Sequence, residues 1–145
     1  MVHLVAAILC LGLGADVASA TAKTEIALFD GEWSMVNGER DGQPIPADFA
    51  KQAKRVCRNG ETTVSFGDQV FMKAKFTVDP SKKPKTIDYK LLEGPNKDKT
   101  VLGIYELNGD VLKFCFGGPD EKRPTEFKAK EGSGWTLSEW KRVKK

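Results

Sequence analysis

At 145 residues the chain suffices for a single domain that buries roughly two thirds of its unfolded surface, and no metal or disulfide is needed to hold such a domain together. Its 23 Lys and Arg against 20 Asp and Glu leave a net charge of +3. That mild excess suits solubility or weak attraction to anionic envelope polymers and argues against nucleic acid as a partner.

Residues 1–20 hold an apolar run from Leu4 to Gly14 and then Ala18-Ser19-Ala20, which predicts a secretory signal peptide cleaved before Thr21. The run is too short to cross a bilayer, so no membrane span is expected after cleavage. Cys10 counts as leader packing, because Leu9 stands where a lipoprotein signal has a small residue. Cleavage removes Asp16, leaving 19 acids against 23 cations and a net of +4, and it removes His3, the only histidine. A mature chain without histidine has no Ser-His or Cys-His nucleophile and no HExxH zinc site. The expectation is therefore a non-enzymatic protein with no catalytic residue, no metal and no cofactor. Export to the periplasm, the cell envelope or the medium places Cys57 and Cys115 in an oxidising compartment. They are either bridged, closing a loop of roughly sixty residues for a gain of about 4 kcal/mol, or two separate buried thiols.

Residues 21–29 read as an N-terminal tail leading into a domain over 30–145. Asp30-Gly31-Glu32-Trp33-Ser34-Met35-Val36 is a first strand with Trp33 and Met35 on one face, followed by a turn at Asp41-Gly42. Ile45-Pro46 leads into a short helix over 47–54, with proline in the first turn and Phe49 and Ala53 four apart on one side. Strands are expected over 55–59, 62–66 and 69–79, punctuated by Gly60 and Gly67-Asp68. In the last of them Val70, Met72, Ala74, Phe76 and Val78 point one way, and Phe71, Lys73, Lys75 and Thr77 the other. A proline-bounded loop over 80–85 precedes a strand over 86–92 and a polar turn over 93–98.

The stretch 100–116, TVLGIYELNGDVLKFCF, is the clearest local signal: two apolar, β-branched and aromatic runs about Asn108-Gly109. Such a pair tolerates the positive φ of a type I′ turn and marks a hairpin. A two-residue loop at Asn108-Gly109 sets Leu107 against Asp110, Tyr105 against Leu112, Gly103 against Phe114 and Val101 against Phe116, all on one face. After a loop over GGPDEKRP come a short strand over 125–130, a turn over 131–134 and a closing strand over 135–143. Eight or nine strands with one short helix and no βαβ alternation mean an antiparallel meander, either barrel or sandwich.

Gly31-Glu32-Trp33 at the start of the first strand matches the G-x-W element of lipocalin and calycin barrels, and Trp140-Lys141-Arg142 in the last strand looks like the basic partner that packs on that tryptophan. With DG-x-P after the first strand, DPSKKPK, GPNKDKTVLGIYELNGD, LKFCF and RPTEF, nearly the whole mature chain resembles a family of small exported lipocalin-like domains abundant in planctomycete-type bacteria. The departures are Cys57 and the stretch 62–72. This resemblance implies an all-β, antiparallel up-and-down lipocalin-like barrel with one short helix between the first two strands, and an envelope or extracellular address. It implies no established reaction. Trp33 is large enough to close the narrow end of a barrel, and Arg142 over its ring would gain about 0.5 to 2 kcal/mol, so Gly31, Trp33 and Arg142 read as structural.

Two functions fit such a barrel. In one, a calyx lined by Val70, Met72, Phe76, Tyr105, Phe114 and Phe116 holds a small apolar or amphipathic ligand. Arg123 then orients a polar head group or simply forms an ion pair at the barrel edge, and the helix over 47–54 is a lid or a fixed plug that buries Phe49. In the other, the barrel is filled by its own side chains and meets a protein or an envelope polymer through its loops. Eight strands leave an interior just wide enough for either, and the large inward Tyr105, Phe114 and Phe116 favour a narrow pocket. Lys73, Lys75, Lys82, Lys83 and Lys85 form a solvated face or a basic rim.

Overall fold

The computed structural model describes residues 20–144, so the expected signal peptide lies, Ala20 apart, outside the described residues. Among them are nine strands: β1 (Gly31–Arg40), β2 (Gln43–Pro44), β3 (Ala53–Arg58), β4 (Glu61–Phe66), β5 (Gln69–Asp79), β6 (Lys85–Leu91), β7 (Thr100–Asn108), β8 (Val111–Pro119) and β9 (Thr136–Arg142). Helix α1 covers residues 20–28 and α2 is Ala47–Lys51. From β3 onward each strand pairs antiparallel with the next, and β1 pairs with both β3 and β9. Eight strands therefore close on themselves, with β2 added beside the end of β1. The chain is an all-β, up-and-down antiparallel barrel, and α2 sits between β1 and β3, the first two barrel strands.

The central hairpin forms, in a register two residues away from the expected one. Gly109 and Asp110 make the loop, with Gly109 at φ 61°; glycine at the first central position is the mark of a II′ turn rather than I′. Leu107 then faces Leu112, Tyr105 faces Phe114 and Gly103 faces Phe116, which sets apolar groups against one another where the expected register opposed Leu107 to Asp110. Because side chains alternate with a period of two, a slip of two leaves every residue on its expected face. The Phe116 ring lies over Gly103, where an added Cβ would come within 2.4 Å of it.

One end of the barrel is plugged from below. The segment expected as a tail is helical, and its last turn delivers Phe29, fully buried, into the lumen among Phe76, Tyr105 and Phe114 at ring separations of 5.2, 5.1 and 6.4 Å. Glu25 on α1 anchors the helix through Lys85 Nζ at 2.9 Å and the Tyr105 hydroxyl at 3.0 Å. Trp33, also fully buried, donates its indole N–H to the Phe29 carbonyl at 2.9 Å. The Arg142 guanidinium stands 4.2 Å from the Trp33 ring centre and donates to Asp110 Oδ1, the Asp30 carbonyl and the Leu28 carbonyl. Gly31 has φ 133°, and an added Cβ would meet Arg142 Nη1 at 2.9 Å. The G-x-W spacing thus brings a backbone with no side chain and an indole together under one arginine.

Two local expectations change, and the structure decides between the two alternatives for the cysteines. The helix after Pro46 ends at Lys51, because Ala53 already pairs with Phe66 as a barrel residue. Residues 125–130 are not a strand: β8 is occupied on both sides by β7 and β9, and closure leaves no free edge to join. The segment instead covers the outer wall, where Cys115 Sγ bonds to the Lys128 carbonyl at 3.3 Å and Ala129 is buried. Cys57 and Cys115 are both free and buried rather than bridged. Cys57 belongs to the lumenal core with Ala53, whereas Cys115, between the inward Phe114 and Phe116, points outward. Burial pushes both thiols up in pKa.

Candidate functional site: an apolar pocket at the open end

Opposite the plug the lumen is hollow. A cavity of about 600 Å³ opens between α2, the β4–β5 turn and the start of β9, and a second lobe of about 430 Å³ runs under the β6–β7 loop and shares Phe71, Met72 and Phe116 with it. Space remains because the inward positions here are short: Val64, Thr136 and Ser138 stand where the closed end carries aromatic rings. An aromatic rim frames the mouth. Phe49 from α2 stacks on Phe66 with centroids 4.2 Å apart, and Phe71 meets Phe66 edge-on at 5.2 Å. Phe49 is half exposed, so α2 lies at the mouth, as a lid would, without burying Phe49.

The floor is made by Arg55, Tyr89 and Trp140. Arg55 is only 4% exposed, because β3 alternates Ala53, Arg55 and Cys57 into the lumen. Its guanidinium lies against the Phe114 ring at 4.7 Å and the Trp140 ring at 4.5 Å, contacts that contribute about 0.5 to 2 kcal/mol per ring. Both of its hydrogen bonds leave from Nη1, to Thr62 Oγ1 at 2.9 Å and to the Tyr89 hydroxyl oxygen at 2.8 Å. Nε is buried with no partner, and Arg55 joins none of the ion pairs among the described residues. Burial pushes the Tyr89 phenol up to about 12, with the Arg55 charge opposing, so it remains a neutral hydroxyl that supports the arginine. Trp140 is held in place by its indole N–H donating to Ser138 Oγ at 2.9 Å.

Of the residues expected to line a calyx, Met72 and Phe116 do so. Val70 does not: β4 and β5 pair Val64 with Met72 but Ser65 with Val70, so Phe71 is the extra residue of a bulge. Val70 is turned outward at 58% exposed, and Phe71 takes a place in the pocket wall although it is itself 67% exposed. Phe76, Tyr105 and Phe114 face inward as expected, but they belong to the packed floor and plug, below the space a ligand can enter. Arg123 lies on the outer wall. It contacts Asp88 Oδ1 at 2.7 Å, off hydrogen-bond angle, and donates to the Gly103 and Ile87 carbonyls at 2.8 and 3.2 Å, which makes it the edge ion pair and leaves it away from the pocket. Lys85 of the basic rim is committed to Glu25.

Arg55, Tyr89 and Phe66 were not singled out in the sequence, which placed Phe49 on a lid or plug and Phe71 on the face opposite Met72. A signal for Arg55 was present: in Ala53-Lys54-Arg55-Val56-Cys57 it occupies the same alternation as an alanine and a cysteine, an inward face on which a charge is unusual. In comparisons with protein-family models, with curated proteins and with solved structures, nothing matches this chain.

Proposed function

We propose that the mature chain is a non-enzymatic, exported, lipocalin-like domain that takes a small apolar or amphipathic molecule into the open half of its barrel. The observation that carries this reading is the cavity of about 600 Å³ walled mainly by apolar side chains, within the range of about 300 to 1,000 Å³ usual for small-molecule sites. A barrel filled throughout, acting only through its loops on a protein or an envelope polymer, has no use for such a space. Kinship with lipocalin-like barrels is supported by the stacking of Arg142 on Trp33 beside Gly31. Export is supported by the composition of residues 1–20, and a non-catalytic role by the loss of His3 with that leader.

The test is titration of the mature protein with the uncharged dye Nile red. One saturable site with a Kd in the micromolar range, about −8 kcal/mol, is expected. Val64→Trp, which places an indole in the cavity from a buried wall position, removes that binding while far-UV circular dichroism stays unchanged. No saturable binding by wild type, or unaltered binding by a folded Val64→Trp, refutes the pocket.

A further inference from the structure

Resting on that pocket reading, we infer that the ligand carries a carboxylate, and that Arg55 is its receptor at the pocket floor. The argument begins with what the guanidinium lacks. The Phe114 and Trp140 rings lie against the Arg55 guanidinium, but ring faces accept nothing from the in-plane N–H donors. Thr62 and Tyr89 take the Nη1 corner. Nε and Nη2 receive no acceptor among the described residues; Nε is shut away from water, so Nη2 is the donor that a molecule in the cavity can reach.

Buried cations are ordinarily paired, since an unpaired charge in a low dielectric is costly. Here the described residues supply no carboxylate partner. The one carboxylate among the described residues lining the cavity, Asp41, is exposed at the mouth and accepts the Gly134 backbone N–H at 2.9 Å. A carboxylate oxygen that accepts from Nη2 supplies the charge-assisted hydrogen bond and the counter-charge that Arg55 lacks. Above it the walls are Met35, Ile45, Phe66, Met72 and Phe116, which offer a tail contact area and few hydrogen bonds. The site therefore fits an alkyl or aryl carboxylic acid, head down on Arg55 and tail toward the rim.

Displacement of Nile red by decanoate and by decan-1-ol tests this, because the two differ mainly in the head group. Decanoate is expected to displace the dye from wild type at a concentration about tenfold lower than decan-1-ol. In Arg55→Met that preference disappears while displacement by decan-1-ol persists. As a check that needs no variant, the Arg55 guanidinium N–H resonances of wild type should move with decanoate and stay still with decan-1-ol. Equal displacement by both ligands, a preference that survives in Arg55→Met, or guanidinium N–H signals unmoved by decanoate overturns the assignment of Arg55 and leaves the pocket standing. Failure of Nile red itself to bind wild type overturns the pocket, and with it this inference.

Discussion

Replacing Trp33 with alanine tests the closed end most directly. The side chain is fully buried, and truncating a buried tryptophan costs about 3 to 5 kcal/mol in transfer and cavity terms. Two further losses push toward the top of that range. The Phe29 carbonyl loses the indole N–H at 2.9 Å, and an acceptor left unpaired in the interior costs about 1 to 3 kcal/mol. Arg142 loses the ring on which it stacks, although Asp110 and two carbonyls still hold it. These effects share atoms and do not add in full, so a total of about 4 to 5 kcal/mol is expected out of a typical domain stability of about 5 to 15. In urea, with a slope near 1.5 kcal/mol per molar, the midpoint falls by about 3 M. Trp33→Phe keeps a ring under Arg142 and loses the N–H, so its midpoint should fall by about 1 M. Proteolysis near residues 20–30 should accelerate in parallel, because Trp33 ties α1 to the barrel. A Trp33→Ala midpoint within about 0.3 M of wild type would refute the account of G-x-W as the structural seal.

The chain's two tyrosines, Tyr89 and Tyr105, both have phenols pushed up by burial, Tyr89 to about 12. In spectrophotometric titration neither should ionise near pH 10 while the protein is folded. Between about pH 10 and 12 the unfolded chain releases a proton that folded Tyr89 retains, so stability falls as pH rises, by about 3 kcal/mol across that window; a normal phenol transition at pH 10 in the folded protein sinks the buried-floor geometry. Gly31→Ala, at φ 133° and 2.9 Å from Arg142 Nη1, should destabilise by about 1 to 3 kcal/mol, read as a lower urea midpoint, and an unchanged midpoint contradicts the close approach. Cys57 and Cys115 should both alkylate in denaturant without reductant and resist alkylation when folded; a pair that needs reductant first would be a disulfide. N-terminal sequencing of protein recovered from outside the cytoplasm should begin at or near Thr21, and an intact Met1 there removes the case for a cleaved leader.

How much of the fold and site was legible turns on the distance over which each decision is made. Alternation over residues 69–79, the Gly60 and Gly67 turns and the hairpin about Gly109 are local, and they marked most barrel strands to within a residue or two. Helix α1 was local as well: Ala22, Glu25, Ala27 and Leu28 are good helix formers, and Ile26 and Phe29 sit three apart, a signal that the reading of 21–29 as a tail passed over. Residues 125–130 look like a strand and are none, because the partner edges are taken elsewhere in the chain.

The sequence by itself determined an all-β meander, since that rests on residue types and short spacings, while the stacking of Arg142 on Trp33 was what the resemblance to G-x-W barrels implied. Only the tertiary structure decided which inward residues pack and which enclose space. Tyr105 and Phe114 were correctly inward, yet closure places them against Phe29 in the plugged half, while Phe71 enters the pocket wall through a bulge between β4 and β5. Arg55 became a pocket floor only when Phe114 and Trp140, from strands more than fifty residues away, closed against it. The period of a strand is set by its own backbone; the contents of a barrel are set by closure, which joins residues that local pattern cannot relate.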